Sequence, residues 1–279
     1  MDISVLIWVL AAAVLLTPLL QRRLLEGARR RLRERIERER GSRVILLVHR
    51  EESMNLFGFN LMRFLDVQDS EEIVRAIMQT EPDRPIDLIL HTPGGLALAS
   101  LQIARAVARH KAKVTAFVPH YAMSGGTLIA LAADQIVMCE HAVLGPVDPQ
   151  VGGYPAGSVL RAVARKEDKD IEDDTLILAD QAEMAITQLR RAIANLLESS
   201  MRADIADVVA DQLSQGQWTH DYPITPDEAR GMGLPVTTDM PPTILQMMSL
   251  YPSPKRLTPS VEYGSARHGK PKPPRDKAG

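Results

Sequence analysis

The sequence lacks the features that define several common classes of protein. Its 279 residues include one cysteine, Cys139, so an internal disulfide is excluded and a reducing compartment is expected. The formal net charge is −2, which gives no electrostatic reason to expect a nucleic-acid partner. No metal-binding or nucleotide-binding motif is present, so we expect neither a metal nor another cofactor. The chain is nevertheless long enough for one medium-sized domain with a substantial core.

Charge is also absent from the N-terminal stretch at residues 3–20, which is apolar almost throughout. A run of about 18 residues is at the lower end of what spans a bilayer. Arginines follow the run instead of preceding it, which argues against a cleaved signal peptide and places the following domain in the cytoplasm. We therefore expect a single-pass transmembrane anchor at residues 1–21, with a hairpin buried in an oligomer as the alternative.

Residues 22–41 are rich in arginine with interleaved glutamates. This composition predicts a basic juxtamembrane helix, so that residues 3–40 together would contact membrane lipid, with arginines on anionic headgroups. A solvated helical spacer is compatible with the same pattern. Residues 252–279 contain proline, lysine and glycine but few large apolar side chains, which predicts a disordered basic tail.

The intervening residues 42–251 alternate short β-prone apolar runs with helical patterns. Such alternation predicts an α/β domain with a mostly parallel sheet. Near its C-terminal half, residues 175–198 carry apolar side chains at helical spacing, which predicts a long amphipathic helix. This helix can form an arm between subunits or simply cover the core.

One stretch of this domain has the layout of a nucleophile elbow. The apolar run at 114–118 is followed by a short turn, then Ser124, Gly125 and Gly126, and then a helix of small and aliphatic residues. A strand, a tight turn and a helix direct a serine hydroxyl outward, beside the free N–H groups of the helix N-terminus. The simpler alternative is that Ser124 only caps the helix.

A second strand-to-helix turn lies earlier in the chain. The strand predicted at 86–91 ends in Pro93, Gly94 and Gly95. Paired glycines allow a backbone to approach a ligand closely and to direct N–H groups at it. The two turns can therefore form an oxyanion hole together, although Gly94 and Gly95 also fit an ordinary tight turn.

Four segments together resemble a known family. They are His-Thr-Pro-Gly-Gly at 91–95, Ala-Met-Ser-Gly-Gly-Thr at 122–127, Leu-Gly-Pro-Val-Asp-Pro-Gln at 144–150 and Trp-Thr-His-Asp-Tyr-Pro-Ile at 218–224. The sequence resembles the Clp/crotonase-fold serine peptidases, and within them the serine dehydrogenase proteinase family, related to signal peptide peptidase A. The resemblance extends over residues 44–251.

This resemblance implies a Clp/crotonase-like fold of repeated ββα units, with the long C-terminal helix as an oligomerisation arm. It implies a serine-type endopeptidase that acts on a protein or peptide. If the enzyme is anchored in a membrane, that substrate can be derived from a membrane protein. Ser124 would attack the peptide carbonyl, while the backbone N–H groups of Gly95 and Gly125 would bind the oxyanion. A homo-oligomer is the expected assembly.

The general base is less well defined by the sequence. Clp peptidases use a histidine about 25 residues after the serine, and this chain has none there, whereas signal peptide peptidase A uses a lysine. Lys166 and Lys169 follow Ser124 by 42 and 45 residues, which favours a Ser–Lys dyad with Lys166 ahead of Lys169. A lysine base must be desolvated to lose its proton, yet the surrounding residues are acidic. Both lysines also fit a solvated loop.

The rival candidates are His220 and Asp221. Asp221 lies where Clp peptidases carry their triad aspartate, and His220 can be the base or can orient one. Neighbouring residues in an extended segment point in opposite directions, so both face Ser124 only if the backbone turns. Asp148 fits either a residue of the substrate groove or a turn before proline.

Two other functions remain open from the sequence. A crotonase-like acyl-CoA enzyme shares both glycine-bearing turns but does not need a serine nucleophile. A membrane-tethered scaffold with an inactive peptidase fold explains the absence of an obvious base.

Overall fold

The computed structural model describes residues 3–49 and 64–251, which form nine helices, nine strands and one 3₁₀ turn. In chain order these are α1 (Ile3–Arg40), β1 (Arg43–Val48), α2 (Val67–Met78), β2 (Ile86–His91), α3 (Ala97–Ala108), β3 (Val114–Val118), β4 (Tyr121–Ala122), α4 (Gly125–Leu131), β5 (Gln135–Met138), β6 (Val143–Leu144), β7 (Gln150–Val151), β8 (Tyr154–Pro155), α5 (Ala156–Val163), the 3₁₀ turn (Asp168–Asp170), α6 (Asp173–Leu197), α7 (Ala203–Ser214), α8 (Pro226–Gly231), β9 (Val236–Thr237) and α9 (Pro242–Ser249). The predicted tail at 252–279 lies outside the described residues.

A five-stranded sheet forms the centre of the domain. Its strand order is β1-β2-β3-β5-β9, and every neighbouring pair is parallel. All side chains of β2 and β3 are buried, as expected for central strands covered by helices on both faces. The predicted α/β class with a parallel sheet is therefore confirmed. The short β4 pairs with β6 in a separate small sheet, so β3, β4 and α4 form one ββα unit.

The sheet separates two hydrophobic clusters because successive side chains of a strand point to opposite faces. Leu88 and Leu90 of β2 belong to the larger cluster, which includes side chains of α2, α3, α4 and the second half of α6. Ile89 points the other way, into a smaller cluster built with α1 and α9. The carboxyl end of β2 leads directly into the glycine turn, and β3 leads through the short β4 into the turn that carries Ser124.

Helix α1 runs without interruption from Ile3 to Arg40, across the predicted boundary between anchor and juxtamembrane helix. Its last turns join the domain, because Ile36 is fully buried and Arg40 forms an ion pair with the buried Asp87. Arg29 donates from Nη2 to the Leu250 carbonyl at 2.8 Å.

Within residues 3–49 and 64–251, no helix has a stretch long and apolar enough to cross a membrane. The prediction of a transmembrane anchor at 1–21 is therefore not supported, and neither is the lipid contact expected of residues 3–40. From Gln21 onward, the described side chains of α1 are mainly interleaved arginines and glutamates.

Helix α6 is the long helix expected near the C-terminal half. Its first half packs on α5 through Ala182 and Ile186, and its second half joins the main core through Ile193 and Leu197. The second half therefore covers the core, the first half packs in a separate small cluster with α5, and an arm between subunits stays a prediction. Its opposite face still exposes apolar side chains, among them Ile177.

Candidate active site

Ser124 lies in a strained turn between β4 and α4. Its backbone angles are φ 49° and ψ −114°, and it is the only residue other than glycine with positive φ in the described part of the chain. Its side chain makes no capping hydrogen bond to α4, so a helix cap does not account for the serine. A non-glycine residue held in this region costs roughly 1–3 kcal/mol, and such strain is concentrated at functional sites.

The glycine turn after β2 has a fixed orientation. The Gly94 carbonyl accepts a hydrogen bond from the Leu65 N–H at 2.8 Å. Because the C=O and N–H of a planar trans peptide point in opposite directions, the Gly95 N–H points away from Leu65. A Cβ atom at Gly95 would lie 2.2 Å from the Leu65 carbonyl oxygen, so only glycine fits here.

The two turns lie against each other. A Cβ atom at Gly94 would be 2.9 Å from the Ser124 Cβ, and one at Gly125 would be 3.5 Å from the Gly95 nitrogen. The Met123 N–H also donates to the Thr92 carbonyl at 3.0 Å, which joins the two turns. Among the described residues, neither the Gly95 nor the Gly125 N–H has a hydrogen-bond acceptor. Two available donors therefore lie beside the Ser124 side chain.

A cavity of about 390 Å³ opens in front of these turns. Ser124, Gly95 and Gly125 line it together with Asp148 and His220. Much of the remaining wall is apolar, contributed by the start of α3 and the residue before it, by α4 and α6, and by β7 and the loop before it: Leu96, Ala97, Leu128, Val147, Val151, Ala185 and Leu189. The serine hydroxyl is therefore accessible from a groove that can hold an apolar side chain.

Asp148 and His220 form a hydrogen-bonded pair on the wall of this cavity. The His220 Nδ1–H donates to Asp148 Oδ1 at 2.7 Å, and the Asp148 side chain is only 1% exposed. The second carboxylate oxygen accepts from Gln150 Nε2 at 2.8 Å. The hydrogen bond that His220 donates to Asp148 raises the pKa of His220 above 6.5; partial burial opposes this shift, and the charges of Asp148 and Asp221 add to it. With Nδ1 occupied, Nε2 is the ring nitrogen left for a substrate or for Ser124.

A tight turn explains why His220 reaches the cavity and Asp221 does not. The Tyr222 N–H donates to the Thr219 carbonyl at 2.9 Å, which places His220 and Asp221 at the corner of the turn. Asp221 is exposed and is not part of the cavity lining. The Tyr222 ring stacks on Trp218 with centroids 5.2 Å apart.

The helix that follows holds this segment in place. Tyr222 donates its hydroxyl to Glu228 Oε1 at 2.6 Å. Glu228 completes a capping box with Thr225 at the start of α8. The segment that carries His220 is therefore attached to a helix N-terminus by side-chain and backbone hydrogen bonds together.

Neither predicted lysine lies on the cavity. Lys169 Nζ is 2.6 Å from Glu167 Oε2, and both side chains are more than 70% exposed. The exposed Lys166 directs its Nζ toward the Asp170 carbonyl, 3.5 Å away. Neither amine is buried, whereas a lysine that acts as a base has to be desolvated. In the described part of the chain, neither lysine therefore shares the cavity with Ser124.

Asp148 pairs with His220, 72 residues further on, and this pair was not predicted from the sequence. The signal was its position, 24 residues after Ser124, close to where the resemblance predicted a histidine. His220 correspondingly lies beside Asp221, where the resemblance predicted an aspartate. The carboxylate and the imidazole thus occupy each other's expected places along the chain.

No group of histidine, cysteine, aspartate and glutamate side chains in the described ranges is arranged to hold a metal ion.

The cavity combines a serine at a strained turn, a histidine–carboxylate pair and two backbone donors. This is the arrangement of serine hydrolases. The chain belongs to the ClpP-like, SDH-type serine proteinase family, whose model matches residues 1–277. The resemblance stated from the sequence is therefore confirmed.

Curated relatives match most of the chain. The protein is 48% identical over 260 residues to Uncharacterized protein MJ0137 of Methanocaldococcus jannaschii, covering 93% of this chain and 91% of that protein. It is 51% identical over 228 residues to Uncharacterized protein MJ1495 of the same organism, covering 82% and 78%.

Solved structures are more distant. A mutant of the 1510-N membrane-bound stomatin-specific protease is 24% identical, with a TM-score of 0.44, covering 66% of this chain and 79% of that one. ClpP1 from Listeria monocytogenes is 14% identical, with a TM-score of 0.46, covering 79% and 97%.

Proposed function

We propose that the protein is a serine endopeptidase that hydrolyses peptide bonds through a Ser124–His220–Asp148 triad. The family supports the reaction class, and the cavity supports the assignment of residues.

The acyl-CoA alternative is not favoured, because Ser124 occupies a strained elbow that enolate chemistry does not need. Membership of a serine proteinase family points in the same direction.

The proposed reaction begins with attack of Ser124 Oγ on a peptide carbonyl. His220 accepts the hydroxyl proton at Nε2, and Asp148 holds the ring through Nδ1 and stabilises the imidazolium that forms. His220 then returns the proton to the leaving amine, and water hydrolyses the acyl-enzyme in a second round of the same proton transfers.

Oxyanion stabilisation is assigned to the N–H groups of Gly95 and Gly125. Each such donor contributes about 3 kcal/mol to the transition state in other acyl-transfer enzymes. Both amides belong to turns whose neighbouring backbone groups are hydrogen-bonded, so they need little reorganisation when the charge develops.

His220 is proposed as the base in place of Lys166 because it shares the cavity with Ser124 and has a buried carboxylate to orient it. The observation that carries the proposal is this convergence of serine, histidine–aspartate pair and two unoccupied N–H groups on one cavity. A lysine from a second subunit of a homo-oligomer is the competing arrangement.

A fluorophosphonate probe tests the nucleophile directly. The wild-type protein should be labelled once per chain and should hydrolyse casein, and Ser124→Ala should abolish both. Ser158→Ala is the matched control, because Ser158 is an exposed serine outside the cavity, and it should be labelled like the wild type. Labelling that survives in Ser124→Ala would exclude Ser124.

The same experiment separates an enzyme from an inactive scaffold. Each variant is first checked by light scattering, so that the comparison is made in one assembly state. A correctly folded wild-type oligomer that neither reacts with the probe nor cleaves casein would support the scaffold.

A further inference from the structure

A second group of polar side chains lies behind the glycine turn, and the proposed reaction does not use it. His49 follows β1, and its Nδ1 is 2.8 Å from Thr92 Oγ1. The other ring nitrogen, Nε2, is 3.1 Å from Asp69 Oδ2. All three residues are buried, with Thr92 fully so. None lines the cavity, so none contacts a substrate there.

The donors and acceptors define a direction for this network. The Gly94 N–H donates to Thr92 Oγ1 at 3.0 Å, which leaves the threonine hydroxyl free to donate to His49 Nδ1. A carboxylate only accepts, so His49 must donate from Nε2 to Asp69. With the threonine hydroxyl as the donor, His49 accepts at Nδ1 and donates from Nε2.

The far end of the network is fixed by a helix N-terminus. Asp69 belongs to the capping box of α2, where its Oδ2 also accepts from the Asp66 N–H at 3.1 Å. Asp66 in turn accepts from the Asp69 N–H at 2.9 Å. The carboxylate that holds His49 is therefore itself held from two sides.

At the near end, Thr92 contacts both turns of the site. Its carbonyl accepts from Met123, the residue before Ser124, at 3.0 Å. Its hydroxyl holds the Gly94 N–H, while the Gly94 carbonyl is bonded to Leu65. Both backbone groups of Gly94 are thus fixed, and together they determine where the next N–H points.

We propose that Asp69, His49 and Thr92 form a positioning network that sets the direction of the Gly95 N–H in the oxyanion hole. The residues act through the backbone of Gly94 and not on the substrate. The mechanistic consequence rests on the proposed peptidase function, whereas the effect on the Gly94 and Gly95 amides does not depend on it.

The backbone effect is tested with Thr92→Val, which keeps the shape of the side chain and removes the hydroxyl. With ¹⁵N-glycine labelling, hydrogen exchange at the Gly94 amide should accelerate at least about 10-fold, because an accepted hydrogen bond is lost. The Gly95 resonance should shift as well. Thr92→Ser should restore both, and Thr80→Val, which removes another buried hydroxyl at the far end of α2, should change neither. Unchanged Gly94 exchange and Gly95 shift in Thr92→Val would overturn the network.

The catalytic effect is measured with a peptide substrate and a matching peptide aldehyde, which forms a tetrahedral adduct with a serine. Thr92→Val should lower kcat by roughly 10- to 100-fold, less than loss of an entire oxyanion donor. KM should change less than about 2-fold, because ground-state contacts are retained. Aldehyde affinity should fall with kcat, His49→Gln should behave similarly, and Thr92→Ser should recover most of the rate.

The outcomes distinguish the two proposals. A wild type that is folded but neither labelled nor active refutes the peptidase function. The positioning network is then still tested by hydrogen exchange at the Gly94 amide and by the shift of the Gly95 resonance in Thr92→Val. An active enzyme whose Thr92→Val variant keeps kcat, or loses activity only through KM, refutes the positioning role. Loss of stability equal to that of Thr80→Val with no change at Gly94 also refutes it.

Discussion

The cavity around Ser124 and the charged connector at 166–174 each offer a candidate base, but in opposite environments. In the cavity, His220 is held by a carboxylate that is 1% exposed. In the connector, Lys169 and its carboxylate partner are both more than 70% exposed. The comparison shows that correct spacing from the serine is not enough, because a base also needs a fixed orientation and an environment that sets its pKa.

Substitution of each candidate base by alanine is the strongest test of this comparison. His220→Ala should lower kcat by roughly 10⁴- to 10⁶-fold, as in enzymes whose triad histidine is removed. Lys166→Ala and Lys169→Ala should stay within about 3-fold of wild type, as exposed substitutions usually do. Casein hydrolysis and active-site labelling measure the effect. An inactive Lys166→Ala beside an active His220→Ala would reverse the assignment.

Removal of the orienting carboxylate is the next largest effect. Asp148→Asn should lower kcat by about 10⁴-fold at neutral pH, since the ring loses its orientation and its charged partner. The hydrogen bond that His220 donates to Asp148 raises the pKa of His220, and a base works only when unprotonated. The acid limb of wild-type activity should therefore lie above pH 6.5, and the residual activity of Asp148→Asn should extend to lower pH. Glu167→Gln in the connector should leave the pH profile unchanged.

Substitution of a glycine in the proposed oxyanion hole should have a smaller effect on kcat. Gly95→Ala should lower kcat by roughly 10²- to 10³-fold, because its methyl group would collide with Leu65 and displace a donor. Gly41→Ala is the matched control, since Gly41 also has positive φ but no atom within 4 Å of a new Cβ. The control should cost some stability without affecting kcat. Equal losses of activity in both variants would indicate general destabilisation.

The smallest effect is on stability. Because the folded-state pKa of His220 is raised, its pair with Asp148 stabilises the fold fully below the unfolded pKa near 6.5 and less as pH rises through the folded value. His220→Gln should therefore destabilise the protein more at about pH 5.5 than at pH 9, by about 1 kcal/mol or less given the exposure of the ring. Urea unfolding at both pH values measures this, with Lys169→Gln as a control that should show no such difference.

The sequence predicted the two turns well because each is encoded locally. A buried strand followed by Gly94 and Gly95, or by Ser124 and a helix of small residues, leaves few conformations for the connecting backbone. The capping box at Thr225 is similarly local, because it joins residues only three positions apart. The parallel sheet followed from the alternation of strands and helices.

The pairing of Asp148 with His220 could not be derived in the same way. It joins residues 72 positions apart, through a loop whose path depends on prolines and on packing against α6 and α7. Local sequence made Asp148 resemble a turn residue. Spacing made Lys166 attractive, but only the fold shows that the connector is exposed.

Helix α1 differs most clearly from what its composition predicts. Composition divides it into an anchor and a basic helix, whereas the structure has one helix whose last turns pack on the sheet. The difference arises because the contacts of Ile36 and Arg40 with residues of the sheet and α9 are not visible in the pattern of α1 itself.

This docking of α1 has a practical consequence for producing the protein. Leu32 and Ile36 pack with Phe117 and Met247 in the smaller hydrophobic cluster. A recombinant chain that starts at Ser42, where composition changes, would leave that cluster open to solvent and prone to aggregate. Starting near Gln21 keeps the covering turns, so the shortest well-behaved fragment is longer than the compositional boundary suggests.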